Sequence, residues 1–292
     1  MNAAPSYPTV QGPRPIGGRE FKRFQEWILA ETGIHLAETK QALLVGRLWK
    51  RVKELGLPDY ASYLDLVESG GDGEERVRLI NAICTHETQF FREPRQFEHL
   101  EQELVPRWRR QAEAGDRSRL VRVWSAASSS GEEPYSVAMS LLTHLPKTEG
   151  WHIEILATDI STNILDRARR GIYPMMRAAT IPQSYLKRFM LKGRGEQAGK
   201  FAVGQELRDA VEFRKVNLHE GPFIHFGSFD LILCRNVLIY FTAEGRAQVL
   251  RSLTDRLLPG GRLFLGHAET LNGVSHNLRT VVPTIYGAPE AR

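Results

Sequence analysis

The stretch LVRVWSAASSSGEEPYSVA at 120–138 constrains the fold more than any other part of this chain. Leu120, Val121, Val123 and Trp124 form a short apolar run suited to a buried parallel strand, and Pro134 stands where the first turn of a helix tolerates a missing N–H. Between them Ala126, Ala127, Ser128, Ser129, Ser130 and Gly131 let the backbone pass close to a ligand, as at the carboxyl edge of an open α/β sheet. Neither G-x-G-x-x-G nor G-x-x-x-x-G-K-[ST] is present, and two carboxylates, Glu132 and Glu133, occupy the helix start. The loop therefore suits a cationic ligand better than a phosphate. Taken alone, the segment reads equally well as a tight strand-to-helix turn.

From this stretch onward, short apolar runs alternate with helical stretches, the pattern of a parallel sheet with crossover helices. The runs are LVRVW, HIEILATD ending at Asp159, FDLILCRN ending at Asn236, RLFLGHAE, and a last strand in TVVPTIYG. Helices are expected over 132–145, over 163–170 behind a Ser161 or Thr162 cap, and over 243–258, stopped by Pro259, Gly260 and Gly261. The interval from Gly171 to Phe229 is too long for a connecting loop. KFAVG and AVEFRKV around GRGEQAG read as short strands, so a small antiparallel insertion is expected over 172–216.

Upstream the texture is helical. Phe21, Phe24 and Ile28 share one face ahead of a stop at Gly33, and a second helix over 38–55 carries Leu44, Leu48, Val52 and Leu55 ahead of Gly56. Two more helical patterns follow, over 60–67 and 74–84. The expected organisation is a flexible Pro- and Gly-rich tail at 1–18, a helical domain with its linker at 19–95, and an α/β domain at 96–292. At about 100° per residue, Lys40, Arg47 and Arg51 fall on one flank of the second helix. That basic edge is either a solvated face or a docking surface. The formal charge of +5 agrees with an acidic partner. The longest apolar runs fall short of a bilayer span, the first residues lack a secretory signal, and the two cysteines, Cys84 and Cys234, suit a reducing cytoplasm.

Candidate binding residues gather at the strand ends. Asp159 stands where a doubly wound fold places the acid that takes ribose hydroxyls, although a strand-end Asp is also a common helix cap. Asn217 and Leu218, in KVNL, are positioned to flank an adenine edge. In CRNVLIYF, Asn236 is followed by Val237, Leu238, Ile239 and Tyr240 with no proline, unlike enzymes that methylate adenine bases or glutamine amides. Tyr240 could attract a sulfonium by cation–π interaction, worth about 0.5–2 kcal/mol. In HETQFFREP, Arg92 offers a bidentate partner for a ligand carboxylate, and Phe90 and Phe91 are expected to pack between the helical and sheet parts. The nine histidines show no metal-ligand spacing, and no Ser-His-Asp arrangement is present.

These blocks together resemble the chemotaxis receptor methyltransferases of the CheR family. The matching segments are ETGIHLAETKQALLVGRLWKRVKELGL, THETQFFREP, WSAASSSGEEPYSVA, ATDIS with RARRGIY, VNL, and CRNVLIYF followed by LPGGRLFLGHAE. The resemblance implies an all-α amino-terminal domain before a class I methyltransferase domain, a Rossmann-like doubly wound sheet carrying a small antiparallel β-subdomain. S-adenosylmethionine would be the donor and S-adenosylhomocysteine the product. By similarity, His86, Thr88 and Arg92 meet the methionyl part of the donor, Glu132 its amino group and Asp159 its ribose. Asn217, Leu218, Arg235 and Asn236 would surround the adenine side. Family members usually have Asn where this chain has His86.

The implied reaction is O-methylation of glutamate side chains on the cytoplasmic helices of chemoreceptors, with Tyr240 at the reacting centre and Lys40, Arg47 and Arg51 docking the acidic receptor helix. The implied enzyme is a cytoplasmic monomer without a metal, without nucleic acid as a partner and without membrane insertion. In some relatives a receptor's carboxyl-terminal tether also binds the β-subdomain. The competing readings are a nucleic-acid methyltransferase, which would need aromatics interleaved with its basic residues, and a regulatory module that binds the donor without transferring methyl.

Overall fold

Apolar spacing builds two units, Met1–Cys84 and Thr85–Arg292, in the computed structural model. The structure describes residues 14–70, 73–272, 274 and 276–290. In the first unit α1 (Gly18–Thr32) buries Phe21, Phe24 and Ile28 and ends at Gly33, whose φ of 71° only glycine adopts without cost. A 3-10 turn at Glu38–Lys40 leads into α2 (Gln41–Glu54), which buries Leu44, Leu48 and Val52. Asp59 caps α3 (Tyr60–Glu68) by accepting a hydrogen bond from the Ser62 N–H at 2.8 Å, and α4 (Glu74–Ile83) completes the bundle. Residues 1–13 of the expected tail lie outside the described residues; Ile16, near its end, is buried in this core.

The unit boundary falls at Cys84, so HETQFFREP folds with the second unit. Phe90 and Phe91 are buried in that unit's own core rather than between two parts, because Tyr173, Phe201, Phe97 and Tyr185 supply their ring partners. Pro94 opens α5 (Pro94–His99), which runs through a π-helical turn at Leu100–Leu104 into α6 (Val105–Glu113). These helices had no counterpart in the sequence reading.

The remaining elements form the expected α/β sheet. They are β1 (Leu120–Ala126), α7 (Glu132–His144), β2 (His152–Asp159), α8 (Thr162–Arg170), β3 (Ile172–Pro174), α9 (Gln183–Phe189), β4 (Met190–Lys192), β5 (Lys200–Val203), α10 (Gln205–Ala210), β6 (Val211–Lys215), β7 (Phe229–Cys234), α11 (Ala243–Thr254), β8 (Leu257–Leu265), β9 (Arg279–Val282) and β10 (Ile285–Gly287). The main sheet has the order β6-β2-β1-β7-β8-β10-β9, parallel through β8 and antiparallel after it. Val121, Val123, Ile153, Ile155, Leu231 and Leu233 face one core, and Trp124, Ala126, Ile232, Cys234, Leu263 and Leu265 face the other. Both faces are covered, as parallel strands require.

Three expectations need correction. AVEFRKV is not part of the insertion: β6 pairs in parallel with β2, Ile155 opposite Val211, and extends the main sheet, so the small antiparallel sheet is β3-β5-β4 alone. The last strand is a hairpin of β9 and β10. The helix expected over 243–258 ends at Thr254, and Leu257 to Gly261 already belong to β8. Pro259 fits there because the β7–β8 register shifts between Phe229 and Leu231, and Gly260 N donates to Pro289 O at 2.8 Å instead of to β7. Among the described residues no helix is long and apolar enough to cross a membrane.

Candidate active site

Strand register creates the site. Ala126 lies opposite Thr158 on one side and Cys234 on the other, so the turns after β1, β2 and β7 leave the sheet at the same edge. The turn after β1 is tightly wound: Ala127, Ser129 and Gly131 all have positive φ, at 65°, 50° and 94°. A Cβ on Gly131 would stand 3.1 Å from Ala168 Cβ, from Tyr135 Cε2 and from the Tyr173 hydroxyl. The Tyr173 hydroxyl donates to Ser130 O at 2.6 Å, so the first strand of the insertion braces this turn directly.

Asp159 holds the same turn from the next strand. Its Oδ2 accepts from Ser129 N at 2.9 Å and its Oδ1 from Ser161 N at 3.0 Å. Burial pushes its pKa up, opposed by the Ser161 N–H and by the nearby His86. Glu132 is fully buried, and Ser130 Oγ donates to its Oε2 at 2.5 Å. Its Oε1 is buried without a hydrogen-bond partner, and burial raises its pKa. A desolvated carboxylate oxygen left open in this way is suited to a cationic ligand.

The remaining sequence candidates divide between ligand edge and framework. His86 O accepts from Ser129 Oγ at 3.3 Å, and Thr88 O accepts from Arg177 Nη1. Arg92 Nη1 donates to Glu87 O at 3.1 Å. Val216 N donates to Asp159 O at 3.0 Å, which sets Asn217 and Leu218 beside that acid. Asn217 Oδ1 accepts from His219 N at 3.1 Å as a helix cap, while Leu218 lies in the core. Arg235 points into the framework: its guanidinium lies 3.3 Å from Glu93 and 3.1 Å from Glu133 and also donates to Arg92 O. Glu133 in turn accepts from Ser125 Oγ at 2.6 Å. Tyr240 is half-buried on a 3-10 turn, Leu238–Tyr240.

In the helical unit the basic edge is largely employed within the unit. Arg47 Nη1 donates to the carbonyls of Ala82, Ile83 and Cys84 at 2.9, 2.8 and 3.0 Å, closing the carboxyl end of α4. Arg51 is paired with Glu75 and Glu54, and Lys40 is exposed.

Two site residues escaped the sequence reading. Glu269 is 4% exposed, and its carboxylate accepts from the backbone N–H groups of Asn236, Val237, Leu238 and Gly266 at 2.7–2.9 Å. It therefore shapes the turn carrying Asn236, whose φ is 58°. A Cβ on Gly266 would stand 2.8 Å from Asn236 N, a close approach that only glycine allows. Arg177, from the insertion, has its Nη1 3.9 Å from Glu132 Oε1. The GHAE motif could have pointed to Glu269, as an acid just beyond a strand end; no local signal marks Arg177.

Family models match both units: residues 19–84 fit a model described as CheR methyltransferase, all-alpha domain, and residues 86–286 one described as CheR methyltransferase, SAM binding domain. The chain belongs to the CheR methyltransferase family. It is 39% identical to chemotaxis protein methyltransferase 2 of Pseudomonas aeruginosa over 94% of this chain and 97% of that protein. It is 38% identical to the chemotaxis protein methyltransferase of Salmonella typhimurium, over 93% of this chain and 90% of the relative, and 37% identical to that of Escherichia coli, over 93% and 91%. This CheR-family chain is an S-adenosylmethionine-dependent methyltransferase with an all-α amino-terminal domain, and the open carboxylate oxygen of Glu132 beside the wound turn fits a cationic donor.

Proposed function

We propose that this enzyme forms methyl esters on glutamate side chains of the cytoplasmic helices of chemoreceptors, working as a monomer in the cytoplasm. The observation that carries the glutamate reading is the commitment of the site's framework carboxylates. Glu133 and Glu93 flank Arg235, and Glu269 is saturated by backbone N–H groups. An acceptor that had to lose a proton would find no spare base among them. A glutamate, with an unperturbed pKa of about 4.3, is ionised already. What remains is alignment of its oxygen with the methyl group and exclusion of water, effects that together supply several kcal/mol.

The donor supplies an activated methyl group on a sulfonium. In this reading Asp159 accepts the ribose hydroxyls, Glu132 holds the ammonium, and Asn217, Leu218, Asn236 and the backbone of Arg235 border the adenine. His86, Thr88 and Arg92 border the methionyl part, and the Tyr240 ring lies near the sulfonium. Lys40 leads the basic edge toward the receptor, with Arg47 and Arg51 shaping the helices behind it. The insertion is the docking place of a receptor's carboxyl-terminal tether where one exists.

The test is methylation of membranes containing cognate chemoreceptors with radiolabelled S-adenosylmethionine. The expected label is released by mild base, as a methyl ester is. Label that resists base, or labelling of nucleic acid instead, would overturn the assignment.

A further inference from the structure

Arg177 sits on a short 3-10 helix, Met175–Thr180, directly after β3. The segment is anchored on both sides: Ala178 is buried, and Tyr173 is fully buried against Phe90 with its hydroxyl on Ser130 O. This anchoring brings the Arg177 guanidinium to two places at once. Its Nη1 donates to Thr88 O and lies 3.9 Å from Glu132 Oε1. The first contact is with the segment preceding α5, the second with the first residue of α7.

The 3.9 Å separation is too long for a hydrogen bond, and Glu132 Oε1 has no other partner. Glu132 Oε2 is already taken by Ser130. The result is an open anion and an open cation side by side at the end of the donor turn. An α-amino acid presents the complementary pair, an ammonium and a carboxylate on one carbon. The Arg177 side chain is 37% exposed, and of its five N–H donors the contacts above engage only those on Nη1. The rest of the fork is free to grip a carboxylate with two parallel bonds. Arg92, the residue that the sequence reading offered for this carboxylate, donates from its Nη1 to Glu87 O within its own segment.

We propose that Arg177 is a donor-binding residue contributed by the insertion, its guanidinium taking the carboxylate of the donor's amino-acid end while Glu132 takes the neighbouring ammonium. This rests on the assignment of the turn at 127–131 to S-adenosylmethionine. It gives the insertion a second task besides receptor docking, because one of its side chains completes the donor pocket.

The experiment is calorimetric titration of the full chain with two ligands, S-adenosylhomocysteine, which keeps the amino-acid end, and 5′-methylthioadenosine, which lacks it. Arg177→Met is expected to weaken S-adenosylhomocysteine about tenfold to a hundredfold, the range of a lost charge-assisted contact, and to leave 5′-methylthioadenosine within about twofold. Arg177→Lys keeps a point charge but not the fork, and should fall between wild type and Arg177→Met. An unchanged affinity of Arg177→Met for S-adenosylhomocysteine would overturn the proposal. So would equal weakening of both ligands, which would mark Arg177 as a brace for the turn. A wild-type chain that binds neither ligand would instead overturn the donor assignment itself.

Discussion

At Asp159 a single buried carboxylate holds a turn and, in the proposed function, also receives the ribose. Its oxygens accept backbone N–H groups from Ser129 and from Ser161, with the Ile160 N–H also favouring the charged form, and a carboxylate's four lone-pair sites leave room for a ligand hydroxyl. Asp159→Asn would place an NH2 group against one of those N–H donors. Donor affinity should fall by at least about tenfold, and the thermal midpoint by a few degrees, for an unsatisfied buried donor worth about 1–3 kcal/mol. Calorimetry and a melting curve report the two effects, and an unchanged affinity would remove Asp159 from the pocket. Burial also raises the pKa of both Asp159 and Glu132. In the proposed pocket donor binding favours their ionised forms, so affinity should be lost as pH falls through their free-enzyme values, which lie above those of exposed carboxylates. Titrations from neutral to mildly acidic pH check the sign. Both acids were legible in the sequence because each is fixed by a local pattern, a strand end and a helix start after a small-residue turn. Arg177 was not, because its nearness to Glu132 arises only when β3 packs on that turn.

At the scale of elements, the turn after β7 is built by a residue from another strand end. Glu269 Oε2 accepts from Asn236 and Gly266, and Oε1 from Val237 and Leu238. Whichever way Glu269→Gln orients its amide, the NH2 group faces two N–H donors. The variant should melt several degrees lower, for about 2–4 kcal/mol of unsatisfied donors, and, with Tyr240 placed near the sulfonium as proposed, turn over at least about tenfold more slowly because the segment leading to it is released. A melting scan and steady-state kinetics give both readings. A lower midpoint with unchanged turnover would show that the turn's shape does not matter to Tyr240. The sequence reading met its limits at the same scale. Alternation in AVEFRKV marks a strand, but only the parallel register with β2 decides which sheet it joins. Pro259, Gly260 and Gly261 look like a helix stop, yet a register shift in the β7–β8 ladder accommodates them inside a strand.

For the whole molecule, the excess positive charge and the negative charge of the proposed acceptor pose a question of reach. A row of basic residues on a helix reads from sequence as one surface, but the structure divides it. Arg47 is held by carbonyls at the end of α4 and the charge of Arg51 is paired with Glu75 and Glu54, whereas Lys40 is exposed. Arg51→Glu would set a third carboxylate beside Glu54 and Glu75, and its first effect should be a lower melting temperature of the helical unit. Any loss of receptor methylation in that variant would mix unfolding with weakened docking. Lys40→Glu separates them: it should leave the melting curve and donor affinity unchanged. If the basic edge docks an acidic receptor helix, the receptor KM should rise about twofold to fivefold at low ionic strength. Added salt should erase the increase, since exposed charges are screened over about 8 Å at physiological ionic strength. The measurement is receptor methylation against receptor concentration at two salt levels. A Lys40→Glu enzyme with unaltered receptor KM at low salt would move the docking surface away from this helix and leave the insertion as the place where receptors are recognised.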